Sequence, residues 1–179
     1  MNDRDQRLKE VAAIAAALEK QTGCPAQLMI AQWAIESEWG AKPVGHFNFF
    51  GIKRAARHTK WCKVSTKEVF TPEQRDNWNR QHVTDPARVI TILSNGRLCV
   101  EVDDEFADYD SLDASCHDYA HLITEVEPYS HAWQQYEQTK NLTELIQAVA
   151  RTYSTTSQYA NLIEEIAIQA NVLNAIDEA

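Results

Sequence analysis

Apolar residues recur at helical spacing towards both ends of the chain, and a region rich in β-forming residues separates them. The apolar positions of the first helical stretch are Leu8, Val11, Ile14, Ala15 and Leu18. Gly23 and Pro25 then end this helix and begin a second one, which the pattern extends to about residue 37. Two consecutive helices are therefore predicted for the N-terminal part of the chain.

The middle of the chain predicts strands. Residues 61–70 are rich in β-formers, and residues 88–94 meet residues 97–102 across Asn95-Gly96. An Asn-Gly pair between two β-rich runs is a strong hairpin signal, because both central positions of a type I′ turn need a positive φ. The polar segment of residues 71–86 predicts a loop with room for a short helix.

Helical spacing returns after residue 110. One helix is marked by Leu112, Cys116, Tyr119 and Ile123, and a long last helix is marked by Tyr159, Leu162, Ile163, Ile166 and Ala170. Between them, Asn141 and Glu144 resemble a capping box that begins a helix ending near Arg151. The whole pattern predicts an α+β fold in a single domain, residues 1–179, that is mainly helical with a small antiparallel β-lobe at about residues 60–103.

Composition limits the classes of partner. The chain has 179 residues, 44% of them hydrophobic, which is enough for a full core. Its net charge of -9 and pI near 5.1 argue against nucleic acid, because phosphate binding needs a clustered basic face. The densest basic run, residues 53–60, is short. It is expected to form the wall of a groove for an anionic glycan peptide, or a solvated loop.

Neither a membrane span nor a secretory signal is expected. No apolar run approaches the roughly 20 residues that a span requires, and residues 1–7 lack an apolar signal core. If the protein acts outside the cytoplasm, its delivery by a secretion apparatus, a phage or lysis is then expected. The four cysteines are Cys24, Cys62, Cys99 and Cys116. Their spacing fits no common zinc pattern, so buried thiols are expected, with one disulfide as an option in an oxidising compartment, and neither metal nor cofactor.

Glu36 is the first candidate for chemistry. It lies on the last turn of the second predicted helix, where Ile35, Trp33 and Trp39 are expected to exclude water. Desolvation raises the pKa of a carboxyl group and prepares it to act as a general acid, as glycosidic bond cleavage requires. The alternative is an exposed carboxylate at a helix end, which is the commoner state of a lone helical Glu.

Two linked motifs favour the functional interpretation. Residues 31–40 read A-Q-W-A-I-E-S-E-W-G, and residues 48–53 read N-F-F-G-I-K. Together they resemble glycoside hydrolase family 73, the peptidoglycan-cleaving β-N-acetylglucosaminidases, whose motifs read A-Q-x-x-L-E-S-G-W-G and N-x-F-G-I-K. The chain departs from the family at Glu38, where the motif has Gly. That turn therefore carries an extra side chain and an extra negative charge.

The resemblance also implies a second carboxylate. Residues 66–68 match the family's T-x-E element in the β-lobe, which makes Glu68 the proposed second acid. The plain alternative is a surface strand residue beside Lys67. Glu101 ranks second, because the acidic residues around it indicate a solvated acidic face. Those neighbours are Asp103, Asp104 and Glu105.

A third match lies at residues 150–160, which are similar to the family's Y-A-T-D-P-x-Y. The first Tyr of that motif, which lines the active site, corresponds to Tyr153. The family's Asp and Pro are replaced by Thr156 and Ser157, either of which is suited to cap the last helix. Residues 106–111 also resemble the family's F-R-x-Y-x-S. The resemblance covers about residues 10–170 and implies a lysozyme-like fold with a cleft between the helical lobe and the β-lobe.

These matches predict an enzyme that cuts β-1,4 bonds in peptidoglycan glycan strands, on the reducing side of N-acetylglucosamine. Glu36 would protonate the leaving oxygen. Glu68 would activate water, or stabilise positive charge while the substrate's 2-acetamido group attacks. Tyr153 would donate a hydrogen bond near the reacting sugar.

Substrate-binding residues are predicted next to these groups. The rings of Trp39, Phe49 and Phe50 are expected to stack on sugar faces. Asn48 is expected to hold the loop or an N-acetyl group, and Gly51 lies in the same motif.

Other functions remain open at this stage. A muramidase or a lytic transglycosylase works with a single acid on a similar fold, and a glycan-binding or assembly module would keep the cleft without catalysis. An immunity or inhibitor protein that covers Glu36 is a further expected partner, with residues 53–60 as its basic docking surface.

Overall fold

The computed structural model describes residues 2–154 and 158–179. These residues form two compact units. The helical unit comprises the chain up to Ile52 together with Tyr109–Ala179, and the β unit comprises Lys53–Asp108. The predicted caps Thr156 and Ser157 lie outside the described residues. In chain order the elements are α1 (Asp3–Thr22), α2 (Ala26–Glu36), β1 (Trp61–Phe70), α3 (Pro72–Gln81), β2 (Arg88–Ile92), β3 (Leu98–Ala107), α4 (Leu112–Glu125), α5 (Tyr129–Thr139), α6 (Leu142–Tyr153), α7 (Tyr159–Ala167) and α8 (Ala170–Asp177).

Helix α2 is the centre of the helical unit. Its sequence is apolar on every side, which is typical of a helix enclosed by others. It contacts α1, α4, α7 and α8. Its buried residues are Ala26, Leu28, Met29, Ile30, Ala31, Gln32, Trp33 and Ala34. The one buried amide among them, Gln32, needs hydrogen-bond partners inside the core.

The ends of the N-terminal helices follow the sequence signals. Asn2 caps α1 by accepting a hydrogen bond from the Asp5 amide, and Gly23 ends it in the left-handed conformation, with φ of 78°. Helix α2 begins after Pro25, as predicted. Across the described part of the chain, no helix is both long and apolar enough to cross a membrane.

The C-terminal helices differ from the prediction in two places. The predicted last helix is divided into α7 and α8 by a break at Ile168 and Gln169. Helix α5 was not predicted, because its only buried residues are Ser130 and Trp133, which leave no apolar stripe to detect. Helices α4 and α6 begin with the side-chain caps Ser111 and Asn141.

The β unit contains a three-stranded antiparallel sheet in the order β1-β3-β2. One face of β3 packs into a small core of Ala87, Leu98, Val100 and Val102, and Phe70 and Trp78 pack against that core. The opposite face carries charged side chains. Most charged side chains of β1 and β3 therefore lie on the face opposite this core, whereas Glu68 and Asp104 share the face of Val100.

The segment predicted as a loop with room for a short helix contains the ten-residue helix α3. Thr71 accepts a hydrogen bond from the Gln74 amide, and the Gln74 side chain accepts one from the Thr71 amide, which completes a capping box. Pro72 occupies the first turn, where its missing N–H costs nothing. Trp78 of α3 supplies the apolar contact that fixes the helix to the sheet.

The hairpin between β2 and β3 forms, but its turn is not type I′. Gly96 has a φ of 78°, whereas Asn95 is not among the residues with positive φ. The Gly96 amide donates to the Leu93 carbonyl, and the Leu93 amide donates to the Arg97 carbonyl. The loop is therefore longer than two residues, and only its glycine takes the left-handed conformation.

Candidate active site

Glu36 is the last residue of α2 and lies directly before a tight turn. Ser37 ends the helix, and its hydroxyl accepts a hydrogen bond from the Gly40 amide. The next three residues are all left-handed, with φ of 50° at Glu38, 59° at Trp39 and 74° at Gly40. A Cβ at Gly40 would come within 2.5 Å of the Trp33 ring, so this position requires glycine.

The environment of Glu36 favours its protonated form. Burial raises the pKa of the Glu36 carboxyl above its ordinary value, and the hydrogen bond from Tyr159 lowers that pKa in part. The Tyr159 hydroxyl donates to Glu36 Oε1. A half-buried carboxyl group with a raised pKa is the form that a general acid needs.

A line of buried polar side chains lies behind Glu36. The Gln32 amide donates to the Tyr159 oxygen over 3.1 Å, and the Tyr119 hydroxyl donates to Gln32 Oε1. Gln32 and Tyr119 are both fully buried. The hydrogen-bonding needs of the single polar residue in the α2 core are met by helices α4 and α7.

Tyr153 lies beside this line but does not bond to Glu36. Its hydroxyl donates to the Phe50 carbonyl, and its ring stacks on Tyr159 with centroids 6.2 Å apart. Burial first, and then the nearby Glu36 charge, raise the pKa of Tyr153. The Tyr153 hydroxyl proton is thus used in a hydrogen bond to a backbone carbonyl, while Tyr159 makes the direct contact with the Glu36 carboxyl group.

The loop of the second motif is closed by its own asparagine. Asn48 Oδ1 accepts from the Ile52 amide over 3.0 Å, and Asn48 Nδ2 donates to the Ile52 carbonyl over 2.8 Å. Gly51 within this loop has a φ of 64°. A Cβ built at Gly51 would lie 3.9 Å from Glu36 Oε2. The loop therefore brings bare backbone up to the second oxygen of the acid.

Burial overturns the stacking role expected for Phe50. Its ring is 0% exposed and stacks on Tyr119 at 4.3 Å, so neither face is available to a sugar. Phe49 is half-buried, and its ring lies 6.3 Å from that of Phe47, which is 38% exposed. Phe47 and Phe49 are therefore the aromatic pair that solvent reaches in this loop.

Trp39 has partners within the chain. The Arg4 guanidinium lies 3.5 Å from the centroid of the Trp39 ring, and Arg7 Nε donates to the Trp39 carbonyl over 2.9 Å. The ring also meets Trp33 edge to face. These contacts tie the turn after α2 to α1, and sugar stacking by Trp39 stays a prediction.

The two candidates for the second carboxylate lie on opposite faces of the sheet in the β unit. Glu68 faces Val100 across β1 and β3, whereas Glu101 faces Lys67. Since successive strand residues point to opposite faces, Glu68 and Glu101 are separated by the sheet itself.

Their ion pairs differ as well. The Glu68 side chain is 37% exposed and lies 3.7 Å from Lys53 Nζ, which also pairs with Asp104. Glu101 pairs with Arg88 on the charged face. Of these two carboxylates, Glu68 is the one that pairs with a residue of the second sequence motif, Lys53.

The basic segment of residues 53–60 is largely satisfied by the β unit. Besides the pairs of Lys53, Arg54 bonds to Glu105 over 2.7 Å and lies 4.2 Å from the centroid of the Trp61 ring. These contacts pair the two cations that open the segment with carboxylates of the β unit. Docking of an inhibitor on residues 53–60 stays a prediction.

The cysteines are free thiols. Cys24 and Cys116 are buried in the helical unit, and burial raises the pKa of Cys24 to about 12. Within residues 2–154 and 158–179, no three His, Cys, Asp or Glu side chains gather as metal ligands do.

Sequence reasoning placed Glu36 but missed three residues that act around it. Gln32 precedes Glu36 by one helical turn, and a polar side chain in an otherwise apolar helix is a signal for a buried network. Tyr159 was assigned to the helix core although it is the second Tyr of the third motif. Tyr119 gave no signal of its own, since it falls on an apolar stripe.

A mainly helical, lysozyme-like fold whose central helix ends in a desolvated carboxyl group defines a class, the glycoside hydrolases. Residues 12–172 match the glucosaminidase family, described as mannosyl-glycoprotein endo-beta-N-acetylglucosaminidase. The chain belongs to this family, which confirms the enzyme class and the fold predicted from the motifs.

Named relatives agree with this placement. The chain is 24% identical to the peptidoglycan hydrolase FlgJ of Pseudomonas aeruginosa over 181 residues, which cover 98% of this chain and 39% of that protein. The chain thus spans well under half the length of this relative.

Two solved structures show the same fold. The catalytic domain of the autolysin Auto from Listeria monocytogenes has a TM-score of 0.66 at 20% identity, covering 98% of this chain and 89% of that one. The glycoside hydrolase domain of FlgJ from Salmonella typhimurium has a TM-score of 0.62 at 21% identity, covering 99% and 92%.

Proposed function

We propose that this glycoside hydrolase cleaves the β-1,4 bonds of peptidoglycan glycan strands on the reducing side of N-acetylglucosamine, with Glu36 as general acid. The observation that carries the proposal is the desolvated Glu36 carboxyl group held by Tyr159 at the end of α2. Membership of the glucosaminidase family supports cleavage next to N-acetylglucosamine. Similarity to a peptidoglycan hydrolase supports peptidoglycan as the polymer that is cleaved. The wall is accordingly the proposed site of action.

The reaction follows from the state of that carboxyl group. Protonated Glu36 gives its proton to the glycosidic oxygen as the bond from that oxygen to the anomeric carbon breaks, and the bonding electrons leave with the oxygen. Positive charge develops on the sugar ring. Either water or the substrate's own 2-acetamido oxygen then attacks the anomeric carbon, and Glu36 recovers a proton when water completes hydrolysis.

Glu68 is proposed as the group that supports the attack. As a carboxylate it would take a proton from the attacking water or stabilise the charge while the acetamido group closes on the ring. Lys53, which contacts Glu68, belongs to the same N-F-F-G-I-K motif as Gly51, the residue next to Glu36 Oε2. Tyr153 is proposed to line the site, and Trp39, Asn48, Phe49 and Gly51 to border the sugar.

The first test replaces the acid. Glu36→Gln keeps the shape of the side chain but cannot deliver a proton, so hydrolysis of purified peptidoglycan should fall by at least about a hundredfold. Glu38→Gln is the matched control, because Glu38 lies two residues away, is exposed and pairs only with Lys42. It should retain nearly full activity.

Mass spectrometry of the products identifies the bond. Fragments ending in reducing N-acetylglucosamine are expected from the wild-type enzyme. A reducing N-acetylmuramic acid end would instead make it a muramidase, an anhydro end a lytic transglycosylase, and no release a glycan-binding module. Substantial hydrolysis by Glu36→Gln would remove Glu36 from the mechanism.

The second test separates the two sheet carboxylates. Glu68→Gln should lower kcat by orders of magnitude, while Glu101→Gln on the opposite face should cost little. The reverse ranking would assign the supporting role to Glu101. Small and equal losses would mean that Glu36 works without a second acid.

A delivered role is proposed as the biological context. The bacterial cytoplasm holds no peptidoglycan, so the enzyme is harmless there and becomes lytic once it reaches the wall, as for a secreted antibacterial toxin or a phage enzyme. A cognate inhibitor or immunity protein would act most directly by covering Glu36. Expression with and without an added export signal tests this, and lysis from the cytoplasm or harmlessness after export would contradict it.

A further inference from the structure

The hydrogen bonds behind Glu36 all point in one direction. Tyr119 donates to Gln32 Oε1, Gln32 Nε2 donates to Tyr159, and Tyr159 donates to Glu36 Oε1. Tyr119 of α4 and Gln32 of α2 are 0% exposed, and Tyr159 of α7 is 8% exposed. This line of hydrogen bonds is therefore sheltered from water.

The direction is set at the buried end. A hydroxyl group without access to water must donate its proton to a protein acceptor, and for Tyr119 that acceptor is Gln32 Oε1. The Gln32 amide is thereby oriented with its NH₂ towards Tyr159. Since the Tyr159 oxygen accepts from Gln32, the Tyr159 proton is directed at Glu36.

We propose that Gln32 and Tyr119 are positioning residues that hold Tyr159 as an obligatory donor to Glu36 Oε1, so that the catalytic proton resides on Oε2. An oxygen that accepts the Tyr159 proton is poorly placed to donate one of its own in the same direction. Oε2 is the oxygen that the Gly51 backbone approaches, with 3.9 Å to a Cβ built there. The inference rests on the proposed role of Glu36 and specifies which of its atoms delivers the proton.

The other titratable groups near Glu36 do not compete for this role. Tyr153 from α6 stacks on Tyr159 but donates to the Phe50 carbonyl, and Tyr129 from α5 packs against Tyr153. Burial raises the pKa of both phenols, so they stay neutral where Glu36 titrates. The donor-to-acceptor direction of these hydrogen bonds is therefore set by Gln32 and Tyr119.

Removing the Tyr119 hydroxyl should release that control. In Tyr119→Phe the Gln32 amide is free to turn over and accept the Tyr159 proton. The Tyr159 oxygen is then open to accept a proton from Glu36 Oε1, which favours the protonated acid. The pKa of Glu36 should rise, and its proton should be shared between Oε1 and Oε2.

The experiment follows Glu36 directly in the free protein. In a ¹³C-labelled sample, the carboxyl resonance assigned by its loss in Glu36→Gln is titrated for wild type, Tyr119→Phe, Gln32→Met and Tyr159→Phe. The titration midpoint of Glu36 should rise by about half a pH unit in the first two variants and by about one in the third, as expected for one hydrogen bond. Tyr136→Phe, a half-buried tyrosine of α5 packed on Trp133, is the matched control and should leave it unchanged.

Activity supplies the second readout. Tyr119→Phe should lower kcat about threefold with KM unchanged, because Gln32 and Tyr119 are fully buried and present no surface to a sugar. The alkaline limb of the kcat profile should move with the titration midpoint. The double variant with Gln32→Met should equal Gln32→Met alone, since both changes break the same line.

Two results would overturn the proposal. An unchanged Glu36 midpoint in a folded Tyr119→Phe or Gln32→Met protein would show that the line does not orient Tyr159. Fully additive effects in the double variant would show that the two residues act only through general packing. If Glu36→Gln stays active while the midpoint still moves, the line is real and the proposed acid is wrong.

Discussion

At the scale of single residues, the turn after Glu36 is one place where this chain departs from the motif that it resembles. Three consecutive left-handed residues follow the helix, and the first of them is Glu38 where the resembled motif has glycine. A left-handed conformation costs a residue with a Cβ about 1–2 kcal/mol. The salt bridge to Lys42 is exposed at both ends, so it offsets little of this cost.

Glu38→Gly should therefore stabilise the protein. Glycine removes the backbone strain but loses more entropy on folding, so we expect a net gain of about 0.5–1 kcal/mol in the free energy of unfolding. Urea denaturation followed by circular dichroism measures it. Glu38→Gln removes the charge and keeps the strain, so a similar gain in that variant would assign the effect to electrostatics.

At the scale of elements, α4 connects the core to the active site. Its Ser115 hydroxyl accepts from the Phe49 amide over 3.4 Å, and its Tyr119 supports both the Phe50 ring and Gln32. The helix begins at Ser111, whose hydroxyl accepts from the Ala114 amide over 3.1 Å. Ser111 can therefore be substituted without changing a residue of the active site.

Ser111→Ala should lower the free energy of unfolding by about 1 kcal/mol, the usual cost of an N-cap. Ser111→Asp keeps a capping oxygen and adds a charge that suits the helix N-terminus, so it should match wild type or exceed it. Thermal melts of the three proteins compare them. Equal loss in both variants would mean that Ser111 acts through packing and not as a cap.

At the scale of the whole molecule, a desolvated acid makes stability depend on pH. The pKa of Glu36 is raised in the folded state above its ordinary value of 4.5, mainly by burial. The folded protein therefore binds the Glu36 proton more tightly than the unfolded chain. Its contribution to stability is complete below the ordinary value and is lost as the pH rises through the folded value.

Glu36→Gln is expected to raise the melting temperature at pH 7 by a few degrees, because a neutral amide replaces a carboxylate that is costly to bury. The difference from wild type should shrink towards pH 4, where the wild-type carboxyl is protonated. Melting curves of both proteins from pH 4 to 8 provide the measurement. A constant difference at every pH would show that ionisation of Glu36 carries no stability cost.

The sequence by itself determined the parts whose signals are local. Helical spacing and the Gly23 and Pro25 signals placed α1 and α2, so that Glu36 was correctly located on the last turn of α2. Enrichment in β-forming residues and the Asn95-Gly96 turn signal placed the strands of the sheet. The linked motifs predicted the family, which the family match confirms.

Two other local signals, a capping box and a turn dipeptide, define the structure around them only in part. The Thr71 and Gln74 capping box, with Pro72 between them, marks the start of α3 inside the segment predicted as a loop with room for a short helix. Asn95-Gly96 marked a turn correctly, but a turn type depends on how the two strands end, and the longer loop needed only the glycine at positive φ.

Only the tertiary structure decided which side chains surround the acid. The residues that contact one another there lie 87 and 127 positions apart along the chain, in the Gln32 bonds to Tyr119 and Tyr159, and periodicity carries no information across such separations. Burial likewise took Phe50 out of the sugar-facing set, and the break between α7 and α8 appeared where apolar spacing continued. A pattern along the chain reports which face of an element is buried, whereas the partners on that face are chosen by the packing of the whole unit.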